Sequence, residues 1–352
     1  MTASTQQQKK LLYEVSIIRP LVIFLLVLLH SFSKIEDVQI AGGGDYQLVS
    51  VYQWIKFMIA GFRIETIALV AGYVFSYQSH NLGRKYKFWP FVWKKFNRLM
   101  VPMIVFGLVY FFCFDFDATS FTISDFLLSL FSGCGHLWFL PMLFWCFIAI
   151  WIVDYFNLSS LWMLFLLAIV SIIPTPALPL GLARLPHFVF YVYGGYFLWT
   201  KRDKLFDHCL TWQWITILWI LYVVLVIFDH TMLPKASTTM PFVEKFLIIF
   251  ENNAIGFVMA VCGIMALFLT VCIITTKEMY KPKQWIIAAS DNCYGVYVYH
   301  QFILMWLYYH TPLVVVCPPL IAPWLGFIAT MIISLILTRL TLLTKIGRKL
   351  IG

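Results

Sequence analysis

Long apolar runs recur along the chain, and short groups of charged residues, proline and glycine separate them. An apolar run of about 20 residues is long enough to cross the hydrocarbon core of a bilayer as an α-helix. The pattern therefore predicts an all-α polytopic membrane protein, a bundle of about ten transmembrane helices. The predicted spans are 15–33, 57–78, 99–114, 136–153, 159–174, 186–200, 213–229, 253–275, 286–309 and 319–340.

The positions of lysine and arginine predict how this bundle is oriented. With ten spans, 17 of the 25 basic residues fall on one side, five on the other and three inside spans. Cytoplasmic loops carry the excess of basic residues in membrane proteins. Both termini are therefore predicted to be cytoplasmic, in a multi-pass protein of the cell membrane. The predicted organisation is a cytoplasmic segment over 1–14, a transmembrane domain over 15–341 and a cytoplasmic tail over 342–352.

The composition excludes several classes of protein. Hydrophobic residues make up 62% of the chain and charged residues 12%, against about 45–50% and about 25% in soluble domains. These values exclude a soluble enzyme, a disordered chain and a disulfide-stapled secreted module. The eight cysteines fall mostly inside apolar runs and form no C-x-x-C pair, which favours packing residues over a metal or disulfide framework. Topology explains the net charge of +9, so no nucleic-acid partner is predicted.

Ionisable residues inside the predicted spans are the strongest indication of function. A charged side chain is costly in a bilayer and usually faces the interior of a bundle or a wet cavity. Several of these residues are histidines, which titrate near neutrality and are suited to proton transfer. The set comprises Arg19, His30, Arg63, Glu65, His136, His187, Asp291 and His300, with Arg339 near the end of a span.

Arg19 and His30 lie eleven residues apart in the first predicted span. At 3.6 residues per turn this spacing puts both on one helical face, about 16 Å apart along the axis. One interpretation is a functional pair. The other is an arginine that extends to lipid phosphate and a histidine that makes a helix–helix hydrogen bond.

Arg63 and Glu65 are two residues apart in the second span, so they point to different faces of a helix. Because they do not neutralise each other directly, each is expected to have a partner on another helix or in a polar cavity. The alternative is an interhelical ion pair with Arg19 or Arg339.

Lys95 and Arg98 end a basic loop and are three residues apart, which predicts that both project from one helical face. Such a pair can bind a phosphate-rich ligand. The alternative is ordinary contact with anionic lipid on the cytoplasmic side.

His136 opens the fourth span beside Trp138, and Tyr297 shares a helical face with His300 in the ninth. A tryptophan at the end of a span is a common interface anchor, and tyrosines more often pack than react. The two histidines are the less expected residues at these positions.

These motifs, in this order, resemble the acyltransferase-3 family of membrane proteins, which O-acylate cell-surface sugars. The resemblance covers residues 15–305 and rests on Arg19-x10-His30, Ala71-Gly72-Tyr73, Lys95-x-x-Arg98, His136-Leu137-Trp138-Phe139-Leu140, and Tyr294-Gly295-Val296-Tyr297 ahead of His300. Lys95 stands where the family usually has arginine. The segment Arg63-Ile64-Glu65 resembles a subgroup that includes glucan succinyltransferases, which leaves the acyl group open between acetyl and succinyl.

The resemblance implies transfer of an acyl group, acetyl or succinyl, from acyl-CoA to a hydroxyl of a cell-surface, exported or lipid-linked glycan. It implies three catalytic residues, with His30 as the base: His30, Arg19 and Glu65. It implies that Lys95 and Arg98 bind the phosphates of coenzyme A. The implied contacts to the substrates are His136, Trp138, Arg63, Tyr297 and His300. Acyl-CoA is then a substrate rather than a bound cofactor, and no metal is expected.

A different class of protein would use the same buried ions. A proton-coupled transporter or exporter of a glycan or acylated lipid accounts equally well for Arg19, Glu65 and the histidines. It does not account for the ordered set of motifs, and inverted repeats, which many transporters have, are not evident in the chain.

Overall fold

A computed structural model describes residues 12–40, 44–45, 49–115, 122–132, 135–176, 178–237, 239–276 and 281–352. Nearly all of these residues are helical. The first eight α-helices are α1 (Tyr13–Lys34), α2 (Ser50–Ala60), α3 (Arg63–His80), α4 (Phe88–Lys95), α5 (Val101–Tyr110), α6 (Ile123–Ser132), α7 (Phe139–Tyr155) and α8 (Leu161–Ile172). The others are α9 (Leu185–Thr200), α10 (Arg202–Cys209), α11 (Trp212–Thr231), α12 (Phe242–Thr275), α13 (Gln284–His310), α14 (Leu313–Val316), α15 (Ala322–Leu343) and α16 (Lys345–Ile351).

Short elements of other kinds join some of the helices. Two are π-helical turns next to α5, and two are 3-10 turns that lead into α7 and α9. These are Phe96–Met100, Phe111–Asp115, Gly135–Trp138 and Leu182–Arg184. In addition, two short strands, β1 (Gln39–Ile40) and β2 (Gly44–Asp45), pair antiparallel.

Seven helical stretches of the described chain are long and apolar enough to cross a membrane. They are Tyr13–Lys34, Ser50–His80, Phe88–Phe114, Gly135–Tyr155, Trp212–Thr231, Phe242–Thr275 and Ala322–Leu343. Each overlaps a predicted span, so the predicted class, an all-helical membrane protein, is confirmed. The count of ten spans and the cytoplasmic position of both termini remain predictions, and residues 1–11 lie outside the described part of the chain.

Helices also form at the other three predicted positions, but each differs from a simple span. α8 has 12 residues and α9 has 16. They therefore rise about 18 Å and about 24 Å, which is less than the hydrocarbon thickness of about 30 Å. α13 is long enough with 27 residues, and its polar residues between Asp291 and His300 make it less apolar than the seven.

The predicted helix over 57–78 is interrupted in the structure, where α2 and α3 are separate. The hydroxyl of Tyr222 on α11 donates a hydrogen bond to the carbonyl oxygen of Met58, just before the break. A Cβ atom at Gly61 would come within 2.8 Å of the same hydroxyl. This close contact favours glycine in the turn, and the break puts Arg63 in the first turn of α3.

α1 lies in the middle of the bundle and contacts α2, α3, α12, α13 and α15. Its buried apolar residues, among them Val22, Leu26 and Phe32, belong to the main hydrophobic core. The helix that carries both Arg19 and His30 is therefore held by neighbours on several sides.

α3 and α9 pack closely because each has a glycine where the two helices cross. A Cβ atom at Gly72 would lie 1.7 Å from the carbonyl oxygen of Val192. A Cβ atom at Gly195 would lie 1.8 Å from the carbonyl oxygen of Leu69. No side chain fits at either position unless the backbone moves. Small residues let transmembrane helices approach and gain van der Waals contact in this way.

A buried ion pair joins three helices at the end of the bundle where α1 begins. Glu14 is 3% exposed. Its carboxylate accepts a hydrogen bond of 2.8 Å from the hydroxyl of Tyr73 on α3, and the guanidinium of Arg202 on α10 lies 3.2 Å away. Because a buried carboxylate needs partners, these contacts fix α1 against α3 and α10.

Candidate functional site

Three histidines that are distant in sequence meet inside the bundle. His30 on α1 and His300 on α13 are joined by a hydrogen bond of 2.8 Å between Nδ1 and Nε2. The ring of His136, in the turn before α7, lies edge-on to the ring of His300, with 4.7 Å between centroids. His136 and His300 are buried. The structure therefore brings together the three histidines that were predicted from separate motifs.

Hydrogen bonds determine which nitrogen of His30 is the base. Nδ1 of His300 lies 2.6 Å from the carbonyl oxygen of Tyr297. A carbonyl only accepts, so this nitrogen carries the proton and Nε2 of neutral His300 is an acceptor. It follows that Nδ1–H of His30 donates to Nε2 of His300. Nε2 of neutral His30 is left with the lone pair that can take a proton from a substrate.

His136 is held in the opposite tautomer. Its Nε2 lies 3.0 Å from the carbonyl oxygen of Val298, so Nε2 carries the proton and donates. Its Nδ1 is buried and has no hydrogen-bond partner. The hydroxyl of Tyr297 donates to the carbonyl oxygen of His136 over 2.6 Å, which fixes the turn before α7 against α13.

A cavity of about 280 Å³, here called the histidine cavity, lies beside this cluster. It is polar on several sides, since it is lined by two of the histidines and by a lysine, an arginine, a tyrosine and a glutamine. Its lining residues are Leu26, His30, Lys34, Arg63, Ile64, Ile67, Gly135, His136, Trp138, Phe139, Tyr297 and Gln301. His300 is fully buried behind His30 and is not among them.

A second cavity of about 430 Å³, here called the Glu65 cavity, adjoins the first. The two share Arg63, Ile64 and Trp138 in their walls. The other lining residues of the Glu65 cavity are Ala60, Glu65, Ser171, Ile173, Thr175, Ala183, Arg184, His187, Phe188 and Asn253. Arg63 and Glu65 thus line a polar cavity, which agrees with the expectation that each residue has its partner on another helix or in a polar cavity.

The charged groups of the Glu65 cavity are only partly paired. Oε1 of Glu65 lies 3.7 Å from Nε2 of His187, and its Oε2 is buried without a partner. Arg63 donates from Nη1 to the carbonyl oxygen of Ala60 over 3.3 Å, and its Nε is buried and unpaired. Among the described residues, neither side chain forms an ion pair with Arg19 or Arg339, so that alternative is wrong.

Arg184 and Trp138, in the turns that lead into α9 and α7, both line the Glu65 cavity. The guanidinium carbon of Arg184 lies 3.6 Å from the centroid of the Trp138 ring, a cation–π contact. Partial burial lowers the pKa of Arg184 from its ordinary value, but an arginine remains cationic. The contact holds the indole of Trp138 at the boundary between the two cavities.

The three remaining predicted residues form a second group near the other end of α1. Arg19 lies within electrostatic reach of Arg98 and Asp291. Nζ of Lys95 lies 3.2 Å from the centroid of the Phe147 ring on α7. A π-helical turn follows Lys95. The guanidinium carbon of the exposed Arg98 lies 5.9 Å from the centroid of the Tyr294 ring on α13. Lys95 and Arg98 therefore contact different helices rather than one common surface.

Several residues of the two cavities were not predicted as site residues. Ser171 and Asn253 lie within apolar helices, and Arg184 was counted only as a loop charge. The one usable signal was Arg184 three residues before His187, because this spacing can place two side chains on one face.

Three histidines beside polar cavities, enclosed in an apolar helical bundle, define a membrane protein equipped for acid–base chemistry. The sequence profile of the acyltransferase-3 family, described as an acyltransferase domain, matches residues 12–339. The chain belongs to this family and is a membrane acyltransferase, which confirms the resemblance of its motifs. No curated protein and no solved structure matches the chain.

Proposed function

We propose that this protein is an O-acyltransferase of the cell membrane that moves an acyl group from acyl-CoA to a hydroxyl of a cell-surface or lipid-linked glycan. The observation that carries the proposal is the hydrogen bond from His30 to His300. It leaves a basic nitrogen on a residue that lines a polar cavity inside the bundle. A hydroxyl needs such a base before it can attack a thioester.

In the proposed reaction, Nε2 of His30 takes the proton of the glycan hydroxyl while its oxygen attacks the thioester carbonyl carbon. The new C–O bond gives a tetrahedral oxyanion, and the guanidinium of Arg63, a residue that lines the cavity, would stabilise it. The oxyanion collapses, the C–S bond breaks, and the proton held by His30 passes to the coenzyme A thiolate. The base is thereby restored.

His300 acts in this scheme as a positioning residue. It touches His30 rather than either cavity, and its acceptor nitrogen keeps the proton of His30 on Nδ1. This is the role of the third group in a nucleophile–base–orienter arrangement. His136, Trp138 and Tyr297 line the histidine cavity and are proposed to contact the substrates.

The proposed donor site is at the end of α1 that is predicted to be cytoplasmic. Arg98, which is exposed, and Lys95, whose Nζ lies against the Phe147 ring, would bind separate phosphates of coenzyme A, and Arg19 would orient the acyl donor toward His30. Arg19 and His30 are on one continuous helix, about 16 Å apart along its axis. The extended pantetheine arm would run along α1 and bring the thioester to His30.

Acetyl-CoA is the proposed donor, and succinyl-CoA is the alternative. A succinyl group ends in a carboxylate, and Arg63 has no carboxylate within ion-pair distance among the described residues. Arg63 is therefore available to hold either the oxyanion or a succinyl carboxylate, and the two roles differ in their dependence on the donor.

The experiment is a transfer assay with purified protein in nanodiscs, labelled acetyl-CoA or succinyl-CoA, and candidate glycans. We expect His30→Ala to lower the rate about 10²- to 10⁴-fold. His208→Ala, at an exposed histidine in the last turn of α10, is the control. Normal transfer by His30→Ala would remove His30 as the base. Movement of the glycan into sealed proteoliposomes without acyl transfer would favour the transporter.

A further inference from the structure

The Glu65 cavity has polar groups that neither the family motifs nor the acid–base chemistry requires. We propose that it is the subsite that holds one sugar ring of the acceptor glycan, with Ser171, Arg184 and His187 as binding residues. The assignment of the sugar as an acceptor rests on the proposed function.

Two residues that line the cavity carry buried polar atoms without hydrogen-bond partners. Ser171 is 3% exposed, lines the cavity, and its hydroxyl has no partner. Oε2 of Glu65 is also buried and unpaired in the same wall. Buried polar groups nearly always have hydrogen-bond partners, so each such group requires an explanation. A ligand that bonds to both atoms supplies one.

The mixture of groups selects the chemistry of that ligand. Glu65 is an acceptor, Arg184 is a donor, and Ser171 is both. An apolar ligand would leave all of them unpaired. A small anion would lie against the carboxylate of Glu65, whose one ion-pair partner in the described chain is His187. A sugar ring has several hydroxyls, and each of them can donate and accept a hydrogen bond. It can therefore pair with the acceptor and the donor side chains that line this cavity.

The position and size of the cavity also fit a sugar. Trp138 lines both cavities, and its indole, with the Arg184 guanidinium 3.6 Å from the ring centroid, contributes apolar surface beside the polar side chains of the wall. The volume of 430 Å³ lies in the range of about 300–1,000 Å³ typical of small-molecule sites. A ring bound there would direct a hydroxyl past Arg63 into the histidine cavity, where His30 takes its proton.

The test measures saccharide binding in the absence of acyl-CoA. The full-length protein in nanodiscs is titrated with tetrasaccharides of glucose and of N-acetylglucosamine, and tryptophan fluorescence and heat are recorded. We expect saturable binding of at least one of them. Ser171→Ala should weaken it about fivefold through the loss of one hydrogen bond, and Arg184→Ala about tenfold.

Ser334→Ala is the matched control. Ser334 is fully buried and its hydroxyl is unpaired, as in Ser171, but it lines neither of the two cavities. We expect this variant to bind the saccharide as the unchanged protein does. Absence of saturable binding to both tetrasaccharides, or equal weakening by Ser334→Ala and Ser171→Ala, would overturn the proposal.

Acyl-CoA transfer, measured on the same samples, separates this proposal from the proposed function. Saccharide binding that depends on Ser171 and Arg184 without any transfer would support the subsite and overturn the transfer reaction. Acyl transfer with an unchanged KM for the glycan in both Ser171→Ala and Arg184→Ala would support the transfer reaction and overturn the subsite.

Discussion

Nδ1–H of His30 donates a hydrogen bond to Nε2 of His300 across 2.8 Å, although the two residues are 270 positions apart. The bond joins α1, on which the donor arm is proposed to lie, to α13. It also fixes the tautomer of His30, because the other nitrogen of His300 is committed to the carbonyl oxygen of Tyr297. Catalytic competence of His30 is therefore expected to depend on a residue that touches no substrate.

We expect His300→Ala to lower kcat about 10²-fold and to leave the KM for acyl-CoA unchanged. The acceptor for Nδ1–H of His30 is lost, so the proton is no longer confined to that nitrogen. Steady-state kinetics over a range of pH measure the effect. In the His300→Gln variant the amide oxygen can still accept the hydrogen bond from Nδ1–H of His30, so this variant should recover part of the activity.

A purely structural role for His300 predicts a different result. Ala and Gln would then reduce activity in proportion to a loss of thermal stability, with no difference in their pH profiles. That outcome would contradict the positioning role.

We expect Arg98→Ala to weaken acyl-CoA binding about tenfold, because one charge-assisted contact to phosphate is lost. Isothermal titration at two salt concentrations should show a smaller salt dependence in the variant. Arg84→Ala is the control, since Arg84 is an exposed arginine in the segment before α4. Equal weakening by both variants would show a general effect of positive charge rather than a phosphate site.

The two proposed roles of Arg63 can be separated by measuring kcat of the Arg63→Leu variant with each acyl donor. A guanidinium that stabilises the oxyanion acts on every donor, so we expect kcat to fall about 10²-fold or more with both acetyl-CoA and succinyl-CoA. The two donors are compared on one preparation. A loss confined to succinyl-CoA would contradict this role and assign Arg63 to the succinyl carboxylate.

Arg202→Ala should destabilise the fold, because Glu14 would remain buried without its cation. Breaking a fully buried pair costs about 3–5 kcal/mol. We expect about 2 kcal/mol here, since the Arg202 side chain is 29% exposed. Thermal unfolding in detergent measures the shift, and Arg202→Lys should restore most of it. An unchanged midpoint in Arg202→Ala would mean that Tyr73 alone satisfies Glu14.

The helical positions were predictable because spanning a bilayer requires long apolar runs, and these are visible without knowledge of packing. The break between α2 and α3 was not, because it depends on contact between Gly61 and Tyr222 on another helix. The π-helical turn after Lys95 was hidden for the same reason, since no local signal marks where a helix widens.

The site was predictable as a set of residues but not as an arrangement. Ionisable side chains have a high free-energy cost in a bilayer, and this cost identified His30, His136 and His300 from the sequence. The contacts among the three histidines depend on how helices that are far apart in sequence pack. Ser171 escaped notice because a serine in an apolar helix is inexpensive when its hydroxyl bonds within the helix. Only the structure shows that this hydroxyl is buried without a partner and that Ser171 lines a cavity.

The glycines at the crossing of α3 and α9 have a consequence for the size of ligand that the Glu65 cavity admits. Glu65 precedes Gly72 by seven residues and His187 precedes Gly195 by eight, so about two helical turns separate the crossing from the Glu65 cavity. A methyl group at either glycine would push the helices apart and widen the cavity between them. A substitution at the crossing is therefore expected to admit a bulkier ligand while every residue that lines the Glu65 cavity stays unchanged.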